Sequence, residues 1–349
     1  MNYLVTFSGH DYIADEKQAN SNYNQKELTP SVLKFLKSYW GKNDEDELQA
    51  IVEQSQQSVN IENLFKELDQ YAARFFNPEV SLSLKFREDT IAISQSKDTI
   101  YMNTLMSTVL WSYIATQIYH SYVLDTYGRG SVEDRFCYQY TLFILNDMCF
   151  NEFKQPVVLP NEESAGLLLS KMEDKPNLLA ISSNIFYSAL TFALLHEISH
   201  AYLNHDEKTV GIEKEMEADE KAYLIYLNFC YDIQNDKISS NFKDCLKSYT
   251  YMAPMYLLDF YYVVYYTGSF LCPYHPAAGK EMFDDIVARK EALFDVFYSW
   301  ESDTDPDEAY DMYNIYLDGA ESFLRSFVAS DKAGMLDIIK ERNCDRRHE

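Results

Sequence analysis

The chain has 349 residues, 47% hydrophobic and 15% aromatic, a composition far from that of disordered chains and long enough to bury a large core in one or two domains. Its 55 acidic against 30 basic residues leave a formal charge of −25. Such a field repels phosphate backbones and anionic headgroups, so neither nucleic acid nor a membrane surface is an expected partner.

Six cysteines, Cys137, Cys149, Cys230, Cys245, Cys272 and Cys344, are scattered without a CxxC pair and read as buried free thiols. The opening MNYLVTFSGHDY lacks the basic and apolar regions of a secretory signal. With reduced thiols, this makes a cytoplasmic location the expectation.

In chain order, the pattern predicts a short strand at Tyr3–Phe7, then helices over Ser31–Tyr39 and Asp46–Phe76. Alternation in EVSLSLKF and in TIAISQ, separated by the polar REDT, predicts a hairpin. A boundary near Lys97 would divide the chain into an N-terminal helical and hairpin region, 1–97, and a second domain, 98–349. Helical patterns follow over Tyr101–Tyr127 and Val132–Asn151. Two apolar runs within Leu167–Ser182, around the polar MEDKPN, are candidate strands. From Asn184 a helix of about twenty residues runs to Leu203, and a second starts near Ile212. Met252–Cys272 is apolar enough to be weighed as a membrane span. It contains Pro254 and Asp259 and carries tyrosines through its middle, so a buried core helix is expected instead. Two or three helices fill Lys280–Lys340.

The chemistry concentrates at His196-Glu197-Ile198-Ser199-His200, an HExxH motif inside a helical pattern. Histidines four apart share a helix face and can reach one metal ion, expected to be Zn2+, one per chain. Glu197, turned by about 100° from the first histidine, is placed to take a proton from a water that attacks a carbonyl. A third ligand is sought in Glu215-Met216-Glu217-Ala218-Asp219. Glu213, Glu217 and Lys221 fall on one side of that helix as a solvated stripe, whereas Glu215, Ala218, Asp219 and Ala222 form the other. Glu215 is therefore the expected ligand, Glu217 the reserve, and Asp219 the carboxylate that orients a ligand imidazole. An oxyanion donor is sought in His275 or Tyr274, in the turn Cys272-Pro273-Tyr274-His275-Pro276. His120 reads as a core histidine, and His10, His205 and His348 carry no assigned role.

HEISH, then EMEAD after a short loop, then a later HP dipeptide resembles the gluzincin clan of HExxH peptidases over about residues 186–286. Within the clan it is similar to the soluble Lit-type phage-exclusion peptidases, with the ImmA/IrrE-type regulatory peptidases second and the CAAX-prenyl and HtpX-like membrane peptidases further off. The membrane relatives have an Arg six positions after the His of HP, where this chain has Glu281. The resemblance implies zinc ligands at His196, His200 and Glu215, catalytic Glu197 and supporting Asp219. It implies a predominantly α member of the α+β class, with a zincin-like core made of an active-site helix and a glutamate helix, and a small hairpin region N-terminal to it. The expected function is that of an intracellular zinc-dependent endopeptidase acting on a specific protein or peptide, gated by an activating partner and serving phage defence. The alternative is a non-catalytic zinc-binding sensor or interaction module with a relic HExxH site.

Overall fold

The computed structural model describes residues 61–76, 78, 81–87, 93–151, 168, 171–172, 175–205, 211–271, 280–300 and 306–332. The strand expected at Tyr3–Phe7, the helix at Ser31–Tyr39 and the turn with Tyr274 and His275 lie outside the described residues. The protein is mostly helical with one small sheet.

Helix α1, Ile61–Phe76, is amphipathic: Leu64, Phe65, Leu68, Tyr71 and Ala72 recur at three- and four-residue steps and are buried. Three strands follow, β1 Ser83–Arg87, β2 Ile93–Ser96 and β3 Thr99–Asn103. The expected hairpin between the first two alternating runs is not formed. β3 lies between them, parallel to β1 and antiparallel to β2. Ile100 and Met102 alternate into the core, which marks this stretch as strand, and the helix predicted from Tyr101 begins only at Thr104. Lys97, where the boundary was expected, sits at φ 54 in the turn joining β2 to β3, so the sheet runs across that position.

Two long helices form the centre. In α2, Thr104–Tyr127, every residue from 109 to 121 is buried. After α3, Val132–Asn151, comes α4, Pro176–Tyr202, which starts with Pro176 in its first turn. Proline there fixes a helical φ and sacrifices only an N–H that has no partner within the helix. The strand expected in Leu178–Ser182 is therefore helix, the first turns of α4. The stretch Asn177–Tyr202 is long and apolar enough to cross a membrane, but its apolar window is 72% buried inside the fold. It is apolar all round because α1, α2, β2 and the helices that follow surround it.

Helix α5, Ile212–Gln234, runs along α4 and turns Ala218, Ala222, Tyr223 and Tyr226 inward. Two short 3-10 turns, Asn241–Cys245 and Ser248–Met252, lead to α6, Ala253–Leu271, then α7, Lys280–Ser299, and α8, Pro306–Lys332. The segment weighed as a membrane span is thus a helix packed on α4 and α7. Its Asp259 is buried and receives hydrogen bonds from Lys290 Nζ, at 2.6 Å, and from the Tyr313 hydroxyl. α8 crosses α2 at Gly319, where a Cβ would stand 2.3 Å from the Gln117 carbonyl oxygen. Cys137, Cys230 and Cys245 are buried free thiols.

Candidate metal centre

His196 and His200 stand one helical turn apart on the face of α4 that meets α5. Their Nε2 atoms are 3.0 Å apart. The Glu215 carboxylate meets them, with Oε2 3.3 Å from His196 and Oε1 3.4 Å from His200. Among the described residues these three form a metal-competent group, with one donor atom from each lying within 4.8 Å of the others. Gly211 caps α5 and its carbonyl accepts from the Glu215 amide, which fixes Glu215 in the first turn of the helix. The α5 face predicted from spacing is the one observed. Ala218, Asp219 and Ala222 are buried, and Glu213, Glu217 and Lys221 are exposed. Glu197, the neighbour of the first histidine, is half-buried.

Asp219 lies beneath His196, its side chain only 1% exposed, with Oδ1 2.8 Å from Nδ1 in an ion-pair contact bent away from the N–H direction. Arg289 of α7 clamps the same carboxylate with two hydrogen bonds, Nε to Oδ2 at 2.6 Å and Nη2 to Oδ1 at 3.0 Å. Its Nη1 lies 3.0 Å from Glu215 Oε2. One guanidinium therefore bridges both acids of α5, which otherwise would repel each other.

The second histidine is held differently. Helix α4 ends when Asn204 takes a left-handed conformation, φ 56. The His205 amide then bonds back to the His200 carbonyl and the Asn204 amide to Ala201, the paired bonds of a Schellman turn. This reversal brings the two imidazoles together, His200 Nδ1 to His205 Nδ1 at 2.8 Å, and His205 Nε2 reaches Glu217 Oε2 at 3.3 Å. His205, assigned no role from sequence, is thus in contact with a site histidine, and Glu217, the reserve ligand, faces His205 and stands outside the three-residue group.

The electrostatics follow from these contacts. Burial pulls the His196 pKa down, but the charge and close contact of Asp219, with the contact to Glu215, outweigh it and push the group up to about 10. Burial lowers that of His200, and the neighbouring His196 adds to the effect against the pull of Glu215. Burial would raise Glu215, yet His196, His200 and Arg289 hold it well below the usual carboxylate range. Asp219 is lowered likewise, against its burial, by Arg289 and His196. The two Nε2 atoms face each other across 3.0 Å, at the point where a cation would go. Two imidazole nitrogens and one carboxylate, with Asp219 and Arg289 behind them, could hold a divalent metal ion.

Arg289 and Tyr261 were not anticipated from sequence. Burial raises the pKa of Tyr261 of α6, with Tyr265 and Glu197 adding to it, so its hydroxyl stays protonated. His120, expected in the core, is buried with Nε2 2.7 Å from Asp134 Oδ1.

No curated protein and no solved structure matches the chain. Residues 100–257, from β3 into α6, match the model of the family Peptidase U49; the matched stretch contains His196, Glu197, His200, Glu215 and Asp219 and supports a peptidase.

Proposed function

We propose that this protein is a zinc-dependent peptidase of the gluzincin type, with a zincin-like core. The observation that carries the reading is the convergence of His196, His200 and Glu215 on one point, within a stretch that matches a peptidase family. Bound Zn2+ would supply Lewis acidity toward a peptide carbonyl and acidify a water to a pKa of about 7. Glu197 accepts the proton of the attacking water and passes it to the leaving amine. Asp219 and Arg289 keep the His196 ring and the Glu215 carboxylate in place through these steps. The protonated hydroxyl of Tyr261 is a donor available to a developing oxyanion, beside the sequence candidates His275 and Tyr274. The resemblance to Lit-type peptidases supports a specific intracellular protein substrate, gating by a partner and a part in phage defence.

The test combines metal analysis with hydrolysis of a mixed peptide library read by mass spectrometry. About one zinc per chain is expected in the wild type, none in Glu215→Ala, and full zinc with hydrolysis reduced about 10²- to 10⁴-fold in Glu197→Gln. Hydrolysis that survives Glu197→Gln unchanged, or a wild type that holds no zinc, would sink the reading.

A further inference from the structure

We infer that His205 and Glu217 form a positioning relay that fixes the tautomer and the aim of His200 toward the metal. The inference rests on the metal-centre reading and extends it to residues outside the ligand set.

An ionised carboxylate only accepts, so the His205 Nε2 facing Glu217 Oε2 at 3.3 Å carries the hydrogen. In a neutral imidazole the other nitrogen is then a lone pair, and His205 Nδ1 accepts from His200 Nδ1–H across 2.8 Å. That leaves the His200 Nε2 lone pair directed at His196 Nε2 and Glu215, where an ion must be bound. The opposite order, with His205 Nδ1 donating, would place the hydrogen on His200 Nε2 and block the site. Histidine ligands ordinarily give their second N–H to a carboxylate, carbonyl or water. Here a second imidazole takes that place and carries the polarity of Glu217 inward, because the helix α4 stops at Asn204 and returns the chain over its own last turn. His205 is buried enough to hold one orientation, whereas the Glu217 side chain is 52% exposed. His205 is therefore the larger contributor.

The test titrates Zn2+ into metal-free protein against a chromophoric chelator, comparing wild type, His205→Phe, His205→Asn, Glu217→Gln and Glu215→Ala. His205→Phe keeps a ring but removes the acceptor, and a 10- to 100-fold weaker affinity is expected, about the range for supports of this kind. In His205→Asn the amide oxygen can accept from His200 Nδ1–H, and most of the affinity should return. Glu217→Gln should weaken binding a few-fold. Nitrogen-15 NMR of the zinc-loaded wild type should show His200 protonated at Nδ1 and His205 at Nε2. If His205→Phe does not fold, the asparagine and glutamine variants and the tautomers carry the test. Wild-type affinity in His205→Phe, no recovery in His205→Asn, or the reverse tautomers overturns the relay while leaving the metal centre standing. Loss of zinc in His205→Phe as complete as in Glu215→Ala makes His205 a ligand and also overturns it. A wild type that binds no zinc removes the metal-centre reading and the relay together.

Discussion

The two site histidines sit one helical turn apart yet are supported by regions built on opposite plans. Behind His196 lie the buried Asp219 and the half-buried Arg289, ion-paired and drawn from α5 and α7, 70 positions apart in the chain. Behind His200 lies a local arrangement, His205 five residues on, backed by an exposed Glu217. The first support depends on the whole fold being assembled, since buried charges are tolerable only when every partner is present. The second depends on how one helix ends. A single candidate metal site thus takes rigidity from tertiary ion pairing on one side and from a turn on the other.

Arg289→Met should break the comparison most severely. It leaves two carboxylates of α5 without their cation, and a loss of about 3–5 kcal/mol is expected in chemical denaturation of the metal-free protein. Glu217→Gln, on the other support, should change stability by no more than about 0.5 kcal/mol. Equal losses would mean that the buried clamp contributes no more than a surface contact.

A pH series sharpens the contrast from the side of His196. Its folded pKa of about 10 exceeds the ordinary 6.5. Its contribution to the stability of the metal-free protein is therefore complete below 6.5 and is lost as pH rises through about 10. At pH 7 uptake of Zn2+ should expel about one proton, and affinity should fall as pH falls. Calorimetry in buffers of different ionisation enthalpy reads that proton directly. Asp219→Asn removes the largest influence that raises His196, so proton release should shrink markedly. Release unchanged in that variant would place the proton elsewhere.

The smallest effect concerns Asn204. Glycine adopts its left-handed conformation freely, so Asn204→Gly should keep stability within about 0.5 kcal/mol. Asn204→Val should cost about 1–2 kcal/mol and weaken zinc along with it, because His205 moves. Zinc affinity that ignores the valine would separate the turn from the metal.

The parts of the site that were legible in the sequence are those fixed by helical periodicity alone. HExxH within an apolar helix, and Glu215 and Asp219 on the face opposite Glu213 and Lys221, are statements about 3.6 residues per turn, and the structure shows the same faces. Periodicity ends with the helix, and that is why His205 was passed over: its position follows from the backbone reversal at Asn204. Asn-His after the last apolar turn was the available signal. Arg289 had no local signal, being one basic residue on a later helix. β3 was hidden because its apolar residues merge into the pattern of α2, although Ile100 and Met102 alternate as a strand does. The start of α4 was hidden because Pro176 resembles a loop residue until it is recognised as the first residue of a helix.

The ending of α4 also has a consequence for reading other chains. Because a Schellman turn bonds the residue after its left-handed position to the carbonyl five residues earlier, the interval from His200 to His205 is set by backbone hydrogen bonding and tolerates neither insertion nor deletion. Written as a sequence, HExxH, three residues, an asparagine or glycine and a histidine, it is a compact tag that could be sought in other HExxH chains where a third histidine lies out of register for a ligand.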